Sequence, residues 1–239
     1  MAAPKIILYT NHLCPWAHRA HIALKELGLE YEEVIIDLTK PREPWYLEVN
    51  PRGLVPSISY NGTIITESAI VSQFLADAHP SHLLSASNTG AGALQRARIA
   101  FFVDAFFTKV IPHLFASLRA ASDADRETAT EALIAGVETE IEPLLAPAQD
   151  GGATGPFFGG SEKLTLAEVL TGSFLLRLLL LHKPEYGLLS AKLPELLEQR
   201  TPRFKRWADT TVQQESVNFI WDAENVGRKT KERLAAAAK

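Results

Sequence analysis

The spacing of apolar residues changes character near residue 80. Before that point short apolar runs alternate with one helical stripe. Lys5–Tyr9 reads as a buried strand. From Cys14 to Leu27 the apolar positions Trp16, Ala20, Ala23, Leu24 and Leu27 follow a helical period, and Gly28 supplies the stop. Tyr31–Asp37, Val55–Tyr60 and Thr63–Thr66 read as further strands, the last two joined through Asn61-Gly62, a strong hairpin signal. Ser68–Ala78 reads as a helix that His79-Pro80 ends. The order predicts one small sheet with helices on it. With a second helix between the second and third strands it becomes β-α-β-α-β-β-α.

Beyond residue 80 the strand signals nearly vanish. Residues 81–92, rich in Ser, Gly, Ala and Asn, read as a linker. Ala93–Ala120 carries the stripe Ile99, Phe102, Val103, Phe106, Phe107, Val110 and Ile111, with a kink expected at Pro112. Glu127–Leu145 is a second expected helix, and Gln149–Gly160 a glycine-rich loop. Thr165–Leu181 is apolar on every side, which predicts a central buried helix, and Thr165-Leu166-Ala167-Glu168 has the pattern of a capping box. Arg203–Thr211 and Ser216–Asp222 are shorter helical pieces, followed by a basic, alanine-rich tail from Gly227. The expected division is therefore 1–80 as an α/β unit, 81–92 as linker and 93–239 as an all-helical unit.

Composition narrows the function classes. Lys and Arg number 24 against 28 Asp and Glu, giving a net charge of −4. No basic block precedes the tail, so nucleic-acid binding has no electrostatic footprint. The longest apolar stretch, Phe174–Leu181, is interrupted by Arg177 and falls well short of the roughly 20 residues of a membrane span. The N-terminus lacks the apolar core of a signal peptide. A single cysteine rules out an internal disulfide framework and fits a reducing, cytoplasmic setting.

That cysteine, Cys14, stands in Cys14-Pro15-Trp16-Ala17 at the start of the first expected helix. A helix N-terminus presents unpaired N–H groups and the positive end of the dipole, which favour the thiolate, the reactive form. Ala17 occupies the place where a dithiol site has its second cysteine. Any disulfide formed at Cys14 must be resolved by a thiol from outside, and glutathione is the abundant one. The bland alternative is a small buried hydrophobe; the strand–Cys-Pro–helix context speaks against it. Glu67-Ser68 opens another helix, where serine caps and an acidic residue suits the dipole, and where a ligand carboxylate would be held. His18 and His21 share a helix face, but no other His, Cys or acidic cluster completes a metal site, and no metal is expected.

Four motifs together carry a resemblance: Cys14-Pro15-Trp16-Ala17-His18-Arg19, Asn50-Pro51-Arg52-Gly53-Leu54-Val55-Pro56, Thr66-Glu67-Ser68-Ala69-Ile70 and the box at Thr165. In order and spacing they resemble the cytosolic glutathione transferases, and among them the omega class and omega-like proteins. The resemblance spans about residues 5–222. It implies a thioredoxin-like N-terminal domain followed by an all-α C-terminal domain, with glutathione as co-substrate and a homodimer as the assembly. It implies a cis bond at Val55-Pro56, so that the Val55 backbone pairs with the peptide-like centre of glutathione. Pro15 and Trp16 shape the site. Glu67 takes the glutamyl ammonium and Ser68 its carboxylate. Arg42, with Lys40 as the next choice, meets the glycyl carboxylate. Arg19 is expected to pair structurally with a carboxylate near the domain junction. Tyr9 is a rival to Cys14, because many relatives use a hydroxyl near the first strand.

A cysteine in this place attacks a disulfide or thioether rather than merely activating glutathione. The expected activity is a thiol transferase: deglutathionylation of mixed disulfides, with dehydroascorbate reduction as a companion and detoxification as the setting. The second, hydrophobic or disulfide-containing substrate would lie against the helical domain, with Phe115 and Trp221 as wall residues. The alternatives are a reductase of glutathionyl-hydroquinones, a lyase or reductase acting on glutathione adducts of secondary metabolites, a non-catalytic carrier of hydrophobic ligands, and, last, a redox-sensitive channel-like protein. No nucleic-acid or membrane partner is expected.

Overall fold

The computed structural model describes residues 3–146 and 154–237. Residues 149–153 of the expected glycine-rich loop lie outside them. The N-terminal part follows the predicted order: β1 Ile6–Thr10, α1 Pro15–Glu26, β2 Glu32–Ile35, α2 Pro44–Val49, β3 Ser57–Tyr60, β4 Thr63–Thr66 and α3 Ser68–Ala78. The strands lie in the order β2-β1-β3-β4. β1 runs parallel to β2, with Leu8 beside Glu33, and antiparallel to β3, with Leu8 beside Ile58. β2 is shorter than its apolar run predicts; it is an edge strand paired on one side only, and its residues are largely exposed. Asn61, at φ 51°, and Gly62, at φ 87°, make the predicted hairpin turn.

The rest is helical: α4 Gly90–Ala105, α5 Ile111–Leu118, α6 Asp123–Gly136, α7 Leu166–Leu180, α8 Leu193–Arg200, α9 Pro202–Val212, α10 Glu215–Asn218 and α11 Ala223–Ala237. α4 begins at Gly90 rather than Ala93, because the Thr89 side chain accepts the Gly92 N–H and caps it there. α8 left no clear apolar stripe in the sequence. The expected kink at Pro112 and the expected helix 127–145 share one resolution. Phe106–Val110 and Val137–Ile141 are π-helical turns, each followed two residues later by proline, Pro112 or Pro143. A proline cannot donate to the carbonyl one turn back and its ring crowds that carbonyl, so the preceding turn widens. Gly136 lets the two lines pack, since a Cβ there would sit 2.6 Å from the Lys109 carbonyl oxygen.

The helical run Gly90–Leu118 is long and apolar enough to cross a membrane by length and composition, which corrects the reading that no such segment exists. Its apolar stripe is occupied otherwise: Ile99, Phe102, Phe106, Val110, Ile111 and Leu114 are buried in the main core. That core runs from the sheet through α1 and α3 to α7, whose Thr165 cap is formed as predicted. The Ala167 N–H donates to Thr165 Oγ1, and the Thr165 N–H donates to Glu168 Oε2 at 2.8 Å. Glu168 Oε1 also accepts from the Phe158 N–H and from Trp207 Nε1, so this buried carboxylate is fully engaged. A smaller cluster of Ala17, Ile36, Tyr46 and Val55 lies beneath Cys14.

Candidate active site

Cys14 is the N-cap residue of α1, half-buried, in an extended conformation that hands over to a Pro at the first helical position. The Cys14 side chain makes no capping hydrogen bond to this helix. The Cys14 Sγ lies 4.0 Å from the Val55 carbonyl oxygen. The Val55-Pro56 bond is cis, as the resemblance implied. Tyr9, the rival, packs its ring against Trp45 and Tyr46 and adjoins the same small cluster as Cys14.

Helix α7 holds the cysteine segment from behind. Arg177 NH2 donates to the Leu13 carbonyl at 3.0 Å, and Ser173 Oγ donates to the Pro15 carbonyl at 2.7 Å. The residues on both sides of Cys14 are thus anchored by side chains about 160 positions away. In the sequence Arg177 was only the break in an apolar run. Nothing local marks its partner, because that partner is a backbone carbonyl.

Arg19 departs from expectation. Among the described residues it makes no ion pair with a carboxylate. Its Nε donates to the Leu170 carbonyl at 2.8 Å and its NH1 to Ser68 Oγ at 3.0 Å. Three rings surround the guanidinium, with Phe107 at 4.1 Å, Trp16 at 4.6 Å and Phe174 at 5.3 Å from it. Delocalised charge and a planar shape suit arginine to such a setting. Burial brings Arg19 down to about 9 and Arg177 to about 10, and proximity to Cys14 opposes the shift in both.

Ser68 is buried at the start of α3, and its hydroxyl is what Arg19 grips. Glu67 before it has φ 70° and ψ 118°, an uncommon region for a non-glycine residue. Its carboxylate pairs with Arg52. Trp16, Arg19, Glu67 and Ser68 line one side of a cleft of about 650 Å³, and Val103 and Phe107 stand among its opposite wall. Trp16 is 38% exposed, in ring contact with Phe107 and Phe174.

The remaining expected residues are placed as follows. Arg42 donates through Nε to the Gly53 carbonyl at 2.9 Å, and through NH1 to the Asp37 and Lys40 carbonyls. It therefore ties the loop ahead of Val55 to the loop after β2. Gly53, at φ 63°, leaves room for it; a Cβ there would lie 2.9 Å from Arg42 Cγ. Lys40 faces Asp37 at 3.4 Å. Phe115 and Trp221 do not line the cleft. Phe115 lies under Arg119, whereas Trp221 lies beneath Arg177 and stacks on His18. The helical wall is made instead by Val103 and Phe107, residues that the stripe had marked as core.

His18 and His21 are drawn to different neighbours. His18 is fully buried, and no hydrogen-bond partner of good geometry meets its ring nitrogens among the described residues. Burial, then the charge of Arg177, hold it well below the usual histidine range, and the Val217 backbone opposes this only in part. His21 turns the other way, toward His12, Tyr31 and Glu33.

Comparison with known proteins gives a consistent set. The family model described as "Glutathione S-transferase, N-terminal domain" matches residues 13–78. The chain is 29% identical over 214 residues to glutathione S-transferase omega-1 of Mus musculus, covering 89% of this chain and 78% of that one. Among solved structures it is similar to glutathione transferase Omega 2C from Trametes versicolor, with a TM-score of 0.76, 29% identity, and coverage of 97% of this chain and 99% of that one. It is likewise similar to Omega 2S from the same fungus, solved in complex with 2,4-dihydroxybenzophenone, at 26% identity, a TM-score of 0.75, and coverage of 97% and 100%.

Proposed function

We propose, on the premise that the chain belongs to the cytosolic glutathione transferase family and is omega-like within it, that it is a glutathione-dependent thiol transferase with Cys14 as nucleophile. The observation that carries this reading is the position of the thiol. The only sulfhydryl in the chain stands at an uncapped helix start, beside the Val55 carbonyl. The Glu67-Ser68 helix start, with Arg19 between, lines a cleft whose wall includes Trp16, two residues on from Cys14.

The cycle has two exchanges. The Cys14 thiolate attacks the glutathionyl sulfur of a mixed disulfide. An S–S bond to Cys14 forms as the substrate's S–S bond breaks, and the substrate leaves as a thiolate that takes a proton from water. A free glutathione thiolate then attacks the Cys14 adduct, forming oxidised glutathione and returning the Cys14 thiolate. Dehydroascorbate reduction uses the same end state, with two glutathiones oxidised per dehydroascorbate reduced. Val55 aligns the peptide-like centre of glutathione. Ser68 with the α3 N-terminus receives the glutamyl carboxylate and Glu67 the ammonium. Arg42 acts on the glycyl end through the loop it ties, with Lys40 beside it. Residues 1–80 bind glutathione and residues 93–239 supply the second-substrate wall. The lone cysteine supports a reducing cytoplasmic setting, with detoxification as the role. Exposed Ile70, Leu94 and Phe101 on α3 and α4 support a homodimer, which light scattering tests by mass.

A second reading takes glutathione off an aromatic adduct, such as a glutathionyl-hydroquinone. The apolar wall of Val103 and Phe107 favours it, as does the aromatic ligand of the Trametes Omega 2S protein. Assays with a glutathione–cysteine mixed disulfide and with a glutathionyl-hydroquinone, each against Cys14→Ser, separate the two. Turnover of neither, with retained binding of an aromatic ligand, would point to a carrier and sink both.

A further inference from the structure

We propose that His12, His21 and Glu33 form a binding site for a divalent transition-metal ion of the zinc class, at the sheet edge beside the Cys14 segment. The three come from separate pieces of chain: the loop after β1, the middle of α1 and the edge strand β2. One donor atom from each lies within 4.8 Å of the others. His12 Nε2 stands 2.6 Å from Glu33 Oε1, and His21 Nε2 stands 3.4 Å from the same oxygen. Tetrahedral ligands at zinc distances are separated by about 3.3 Å, so the observed spacings bracket what one ion needs. Two imidazoles with one carboxylate suit zinc and its neighbours in the transition series rather than calcium or magnesium, which take oxygen ligands.

The rigid and adjustable parts are divided usefully. His21 is fully buried and fixed in α1. Its Nδ1 lies 2.9 Å from the Tyr31 hydroxyl. A phenol hydroxyl there accepts from Nδ1–H while Nε2 faces the ion. His12 and Glu33 are exposed, which gives an ion a way in and lets both side chains adjust. The Thr10 hydroxyl, 2.9 Å from His21 Nε2, has to turn away or join the coordination shell. Without an ion the same residues form a hydrogen-bonded cluster. The Glu33 carboxylate draws a cation to the site.

The test is titration of the full chain with zinc chloride, followed by calorimetry. The protein carries Cys14→Ser, so that the thiol cannot supply the ligand. The expected result is one ion per chain, with affinity falling at least about tenfold in His12→Ala and in Glu33→Gln. Both substitutions are at exposed positions, and circular dichroism checks that the variants are folded. Cobalt(II) in place of zinc provides a second readout through its visible spectrum, which should be lost in both variants. No binding, or binding that either variant leaves unchanged, overturns the proposal.

Discussion

Two kinds of helix start occur in this molecule, and their contrast organises its chemistry. α7 begins closed: Thr165 and Glu168 cap each other's backbone, and the Glu168 carboxylate also accepts from Phe158 and Trp207. α1 and α3 begin open, with no side-chain cap on either. Cys14 stands at one open start and Ser68 at the other, and a single buried guanidinium, Arg19, reaches from α1 to the Ser68 hydroxyl. A closed start contributes stability, since caps are worth about 1 kcal/mol each and buried unsatisfied donors cost more. An open start keeps donors and dipole free for a ligand. Substitutions at the two kinds of start should therefore fail in different ways.

The largest expected effect is on chemistry alone. Cys14→Ser should bring turnover of a glutathione mixed disulfide to background while leaving the denaturation midpoint nearly unchanged, as a coupled assay and a urea titration would report. The converse is Glu168→Ala. Four donors lose their acceptor, so a loss of about 3 kcal/mol or more of stability is expected. The folded fraction should still form the Cys14 adduct at the wild-type rate. A variant at Glu168 that lost adduct formation while keeping its stability would break the comparison.

Ser68→Ala sharpens it at the second open start. KM for the glutathione donor should rise about tenfold, or about 1.4 kcal/mol, with little change in kcat. A kcat-only effect would place Ser68 outside ground-state binding.

The smallest effect concerns pH. His18 is held neutral by burial, so between its folded value and about 6.5 the unfolded chain binds more protons than the folded one. Stability should be fully present above that range and fall with acidification, at up to about 1.4 kcal/mol per pH unit from this group. His18→Gln should flatten the slope of the melting temperature between pH 7.5 and 5.5. An equal slope in the variant would assign the acid sensitivity to other groups.

The local features were legible in the sequence. The Asn61-Gly62 turn, the Thr165 box and the helix start at Cys14 each depend on residues within a turn or two, and each formed as read. The π turns were half legible at best: Pro112 announced a disturbance without its kind, and the turn before Pro143 was read as plain helix. What the sequence hid are interactions between distant residues and backbone carbonyls. Arg19 to Leu170 and Arg177 to Leu13 have no charged partner that a pattern could match. The meeting of His12, His21 and Glu33 was hidden for a related reason: it depends on how β2 lies beside β1, and the pairing of His18 with His21 on one helix drew attention to the wrong neighbour.

The most direct test of the account is the intact mass of the purified protein, first after oxidised glutathione and then after excess reduced glutathione. A thiol transferase gains one glutathionyl group at Cys14, and the second step removes it. An unmodified chain after the first step, or an adduct that reduced glutathione cannot release, would contradict a resolving cycle at this helix start.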